Sequence, residues 1–161
     1  MSVKLIKMET RTVLFVDDDV IVLQSLERGL MDETYNKYFV STCKEALEIA
    51  QREEEVQVLV TDMCMPEMSG LELLREVKKV HPNIICVALS GYEKDEEVQN
   101  AVDQGEIFRL INKPWKLSGI SLEKIIRMAL EQYDLNNNPD GGKLEQCKAK
   151  LKKWIKLGSK K

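Results

Sequence analysis

Thr12 to Val16 is an unbroken apolar run rich in β-branched and aromatic residues, too short for a helix and suited to a strand buried on both faces. It ends on three aspartates. Leu23, Leu26 and Leu30 then recur at helical spacing, with Gly29 near the expected helix end. This βα pattern repeats along the chain. Tyr38–Val40 reads as a strand and Ala46, Leu47 and Ala50 as a helix face. Val56–Thr61 is a strand running into Asp62, and Leu71, Leu74 and Val77 mark a helix. Ile84–Leu89 is a strand, Val98, Ala101 and Val102 a helix, and Ile107–Ile111 the fifth strand. Leu122, Ile125, Ile126, Ala129 and Tyr133 close the series. Strict alternation with short connections predicts an α/β fold, a parallel sheet covered by helices on both faces.

The turn formers from Asn136 to Gly142, with Pro139 among them, cannot continue the last helix. We therefore expect a first domain over residues 1–134, a linker over 135–142 and a basic tail over 143–161. The tail holds eight lysines against Glu145, a net +7; with −3 for the whole chain, this leaves −10 on the remainder. Leu144, Cys147, Leu151 and Trp154 follow spacings of three, four and three, so the tail can form an amphipathic helix. It suits an acidic partner, an anionic membrane surface or nucleic acid.

With 161 residues, 43% apolar and 32% charged, the chain fits one globular core and is neither fibrous nor strongly disordered. Lys4, Lys7 and Glu9 interrupt the amino-terminal stretch, so no secretory signal is read there. No run reaches membrane-spanning length, and a cytoplasmic location is expected. Cys43, Cys64, Cys86 and Cys147 lack a CxxC pair and have only His81 to join them, which argues for reduced thiols rather than a disulfide framework or a zinc site. His81, before Pro82, reads as an exposed loop residue, and Trp115 as a packing residue.

Ligands of open parallel sheets bind beyond the carboxyl ends of the strands. The first predicted strand ends in Asp17, Asp18 and Asp19, the third in Asp62, the fourth in Ser90 and the fifth in Lys113. Taken singly, each has a plainer reading: a helix-capping turn for Asp17 to Asp19, loop and turn residues for Asp62 and Ser90, a solvated strand end for Lys113. Asp19 is read as a cap and no more. At one rim together, crowded carboxylates call for a hard divalent cation, Mg²⁺ above all. An ammonium and a hydroxyl would complete a cradle for a phosphoryl group.

The segments VLFVDDD at 13–19, VTDMCMPEMSGLELL at 60–74, ALSG at 88–91 and NKPW at 112–115 resemble receiver domains of two-component response regulators, in matching order, over about residues 12–133. The resemblance implies a flavodoxin-like doubly wound sheet of five parallel strands in the order 2-1-3-4-5. It implies that Asp62 accepts a phosphoryl group from the phosphohistidine of a sensor histidine kinase or phosphotransfer protein. It assigns Mg²⁺ to Asp18, Asp62 and the Cys64 carbonyl, with Asp17 acting mainly through water. Lys113 and Ser90 would hold the phosphoryl group. Such a domain is a regulator rather than an enzyme, limited to its own phosphorylation and dephosphorylation. It reports to a downstream effector that the sequence does not name, and it leaves room for a homodimer. No DNA-binding or output domain is recognised.

The segment QGEIFRLINKPW at 104–115 is similar to receivers fused to HD-type cyclic-dinucleotide phosphodiesterases. Leu110 stands where many receivers carry a switching aromatic residue, and Phe108, on the same face by strand alternation, is the candidate to replace it. Cys64 and Tyr92 occupy two positions that tune self-dephosphorylation in the family. Neither can orient an attacking water, so a long-lived aspartyl phosphate is expected. Two alternatives stay open. A haloacid-dehalogenase-like phosphohydrolase would need its motif to start at Asp17, although Ile21 and the missing later acidic pair speak against it. An unphosphorylated receiver-like interaction module would keep the fold without the chemistry.

Overall fold

A computed structural model of the chain describes residues 11–91, 95–113 and 121–137. Five strands alternate with five helices: β1 (Thr12–Val16), α1 (Val20–Gly29), β2 (Asn36–Val40), α2 (Cys43–Arg52), β3 (Val58–Asp62), α3 (Gly70–Lys78), β4 (Ile85–Ser90), α4 (Glu96–Asp103), β5 (Arg109–Asn112) and α5 (Leu122–Asn137). All neighbouring strands pair in parallel, in the order β2-β1-β3-β4-β5, as expected.

The helices begin where the local chemistry dictates. The side chains of Asp19, Thr42, Ser69 and Asp95 accept hydrogen bonds from first-turn amides of α1 to α4, which satisfies donors that a helix leaves unpaired. Glu45 and Glu72 add first-turn negative charge to α2 and α3, favourable at the positive end of a helix.

Alternation along the buried strands divides the apolar residues between two cores. Leu14, Val16, Leu59, Cys86 and Ala88 meet α2, α3 and α4 on one face. Val13, Phe15, Val58, Val60, Val87 and Leu89 meet α1 and α5 on the other, with Phe15 and Phe39 stacked at 4.7 Å. Cys43, Cys64 and Cys86 are free thiols. No described helix is long and apolar enough to cross a membrane.

Three readings change. His81 is buried, with its ring Nε2 2.6 Å from the Ala50 carbonyl oxygen. It ties the loop after α3 to α2, so the expectation of an exposed residue is corrected: a short crossover loop lies against the neighbouring helix rather than in solvent. Phe108 is not on the face of Leu110. Leu110 packs on the α2–α4 side and Phe108 on the α1–α5 side, because the strand begins only at Arg109 and alternation does not extend through Phe108. Finally, α5 continues to Asn137, past the start of the expected linker. Tyr92, Trp115 and the 143–161 tail lie outside the described residues.

Candidate phosphoryl-acceptor site

Two strand ends bring the acids together. The β1–β3 register sets Val16 beside Thr61, so Asp17 follows one strand as Asp62 closes the other. Asp17, Asp18 and Asp62 each offer an oxygen, all within 4.8 Å of one another; among the described residues no other group of metal-ligating side chains converges in this way. Asp17 is fully buried, Asp62 is 7% exposed and Asp18 is exposed. The cluster therefore has two carboxylates anchored in the fold and one facing water.

Lys113 reaches this cluster from the far edge of the sheet. Its backbone N–H donates to the Ser90 carbonyl at 2.7 Å, which fixes the end of β5 against the end of β4. Its ammonium donates to Asp17 Oδ2 at 2.7 Å and stands 3.5 Å from Asp62 Oδ1. Asp17 Oδ1 also accepts from the Asp19 amide at 2.9 Å. Both oxygens of Asp17 are thus engaged in holding Lys113 and the turn after β1.

Asp62 keeps more freedom. The Cys64 backbone N–H donates to its Oδ1 at a long 3.4 Å. Burial pushes its carboxyl above the usual aspartate value; Lys113 and the Cys64 amide work against this, Asp17 and Asp18 with it. For Lys113, burial alone would lower the pKa, but hydrogen bonding and charge from Asp17, then Asp62, leave it above the ordinary lysine value. The ammonium stays charged.

Ser90 sits at the end of β4 with its hydroxyl turned to the Gly91 carbonyl at 3.5 Å, so it borders the cluster without joining it. The Cys64 side chain is exposed. Of the site residues expected from sequence, Asp17, Asp18, Asp62 and Lys113 converge, Cys64 contributes backbone to Asp62, and Ser90 stands at the rim.

One residue went unread. Gly70, the first residue of α3, donates its amide to the Met63 carbonyl at 3.1 Å. A Cβ there would lie 2.2 Å from the Asp62 carbonyl oxygen and 2.9 Å from Met63 Cα. Only glycine lets the helix close on the strand end that presents Asp62. Its signal in the sequence was a glycine directly after a serine cap, where helix propensity gives no reason for one.

The donor set is all oxygen and carries three negative charges at close quarters, the chemistry that selects a hard divalent ion such as Mg²⁺ over a soft one. Comparison with known proteins agrees with this geometry. The response regulator receiver domain family matches residues 13–126. The hydrogenase transcriptional regulatory protein HoxA of Cupriavidus necator is 36% identical over 127 residues, 79% of this chain and 26% of HoxA. The sensor kinase CckA of Brucella abortus is 36% identical over 124 residues, 76% of this chain and 13% of that protein. The chain thus spans about a quarter or less of these two relatives. A crystal structure of the signal receiver domain of an HD domain-containing protein from Pseudomonas fluorescens Pf-5 shares the fold. Its TM-score is 0.66 at 24% identity, covering 82% of this chain and all of the other. With a family match over most of its length, the sheet order of that family and an acidic cluster at the expected strand ends, this chain belongs to the response regulator receiver domains, the phosphoacceptor modules of two-component signalling.

Proposed function

We propose that Asp62 is the phosphoacceptor and that Asp18, Asp62 and the Cys64 carbonyl hold Mg²⁺ while it works, with Asp17 acting mainly through water. The observation that carries this reading is the convergence of the three carboxylates within 4.8 Å, with Lys113 Nζ reaching two of them. A carboxylate oxygen of Asp62 forms the new bond to phosphorus as the bond to the donor's histidine nitrogen breaks. Mg²⁺, when bound, offsets the carboxylate charge and polarises the phosphoryl oxygens.

The chain's own groups do the rest. Lys113, already beside Asp62, pairs with the negative charge that arrives. The Ser90 hydroxyl, held only by a long bond to Gly91, turns to the phosphoryl oxygens. Asp17, locked by Lys113 and the Asp19 amide, keeps the lysine charged and positioned. The donor is a sensor histidine kinase or phosphotransfer protein, and the reader is a downstream effector that senses the α4–β5 side. Beyond its own phosphorylation and dephosphorylation the domain performs no turnover.

Incubation with acetyl phosphate and Mg²⁺, followed by intact mass, should add one phosphoryl group to the wild-type chain and none to Asp62→Ala. Labelling of the variant to the same extent would remove Asp62 from this role. Followed over time, the adduct should persist for minutes or longer, since Cys64 lacks an acid or amide to orient water. Loss within seconds would contradict that part of the reading.

A further inference from the structure

The last helix, α5, is covered on more than its sheet-facing side. Its sheet-facing side is complete: Leu122, Ile125, Ile126, Ala129 and Leu130 all join the core against α1 and the sheet. Yet from Met128 to Leu135 no residue is exposed, Met128 to Leu130 being buried and Glu131 to Leu135 half-buried, so two turns of this helix are at least partly covered on every side. Met128 is only 2% exposed and belongs to neither core. At 3.6 residues per turn, Met128, Glu131 and Leu135 lie roughly 130–170° around the helix from the centre of the sheet-facing stripe. A helix lying on a sheet exposes that side to water unless something covers it.

Glu131 lies on this outward side. Its Oε2 is buried with no hydrogen-bond partner among the described residues, whereas Arg127 on the same helix is held by both oxygens of Glu33 at 2.8 Å, and Asp134 by Arg11 at 2.5 Å. A carboxylate oxygen withdrawn from water calls for a donor, and a cationic one fits best.

We propose that the outward strip of α5, Met128–Glu131–Leu135, is the docking surface of this chain's own tail, residues 143–161, folded back as an antiparallel helix. Three observations commit the strip to this occupant. The chain leaves α5 at Asn137, and only residues 138–142, Asn-Pro-Asp-Gly-Gly, precede the tail; a connection this short joins antiparallel helices. The tail repeats Leu144, Cys147, Leu151 and Trp154 at spacings of three, four and three, one apolar stripe for another. The remaining positions are lysine-rich, with Lys148, Lys150, Lys152 and Lys153 available to Glu131. A hairpin would bring Leu144 to the level of Leu135 and Leu151 to that of Met128. The apolar side of the tail is then occupied within the molecule, and any partner of α5 must displace it. This inference stands apart from the phosphoryl chemistry.

Thiol accessibility in the full chain tests it, with sites separated by peptide mass. In Met128→Cys the introduced thiol should resist a bulky maleimide, and adding Leu151→Asp should raise its labelling rate at least tenfold. Buried Cys86 should stay unlabelled throughout, which reports an intact core; if Met128→Cys exposes Cys86, Leu135→Cys takes its place. A labelling rate that Leu151→Asp leaves unchanged overturns the proposal. Protection that fades on dilution overturns it too, since a second copy would then be the occupant.

Discussion

Gly70 and Asp62 meet backbone to backbone, and this contact makes the position of Asp62 a matter of packing as well as charge. Gly70→Ala forces a methyl group into the Asp62 carbonyl and Met63 Cα, neither of which is a flexible side-chain end. The expected cost is about 1–3 kcal/mol of stability, the usual range for overpacking, measurable by urea unfolding. A change below a few tenths would show that the helix start can shift freely. At this scale the sequence spoke clearly only where chemistry leaves a mark. Asp17, Asp18, Asp62 and Lys113 could be read because each follows an apolar run at a strand end. Gly70 and His81 could not, because their roles depend on which backbone lies opposite, Met63 for one and Ala50 for the other. No periodicity encodes that.

Between elements, Arg75 ties α3 to α4 and to the turn before β5. From α3 it donates to both oxygens of Glu106, at 2.9 and 3.2 Å, in the turn before β5, and to Glu97 of α4 at 3.3 Å. The hydrogen bond from Arg75 holds the Glu106 carboxyl below the ordinary glutamate value. A carboxyl depressed by folding contributes in full above its unfolded pKa, and the contribution is lost as pH falls through the folded value. Arg75→Ala should therefore cost about 0.5–1 kcal/mol near neutral pH, the scale of a solvent-screened pair. The gap from wild type should narrow as pH falls below the ordinary glutamate range, through the lowered value of Glu106. Denaturant unfolding across that range decides it, and a gap that stays constant would mean that packing by the arginine stem, not charge, is what is lost. Strand and helix identities were legible at this scale because both periods are strong. The phase of Phe108 was not, since whether a strand starts at residue 107 or at Arg109 is settled by pairing with β4 rather than by local propensity.

Across the molecule, three carboxylates at one rim work against the fold that assembles them, and a cation should relieve the strain. Saturating Mg²⁺ should raise stability by about 2.7 kcal/mol when its concentration is a hundred times Kd, and chelation should remove the gain. Asp18→Asn, which alters the exposed member of the trio, should shrink this gain without unfolding the protein. Equal Mg²⁺ stabilisation of variant and wild type would take Asp18 out of the binding set. The sheet order adds a division of labour. β3, which carries Asp62, has neighbours on both sides, whereas β5, which brings Lys113, borders the sheet and is bonded along one side only. If Asp62 takes the phosphoryl group as proposed, the new charge lands on a strand braced from both sides, and the lysine that meets it comes from the border. A response to that charge would then start at the margin of the sheet, within reach of a binding protein, and would leave the centre in place.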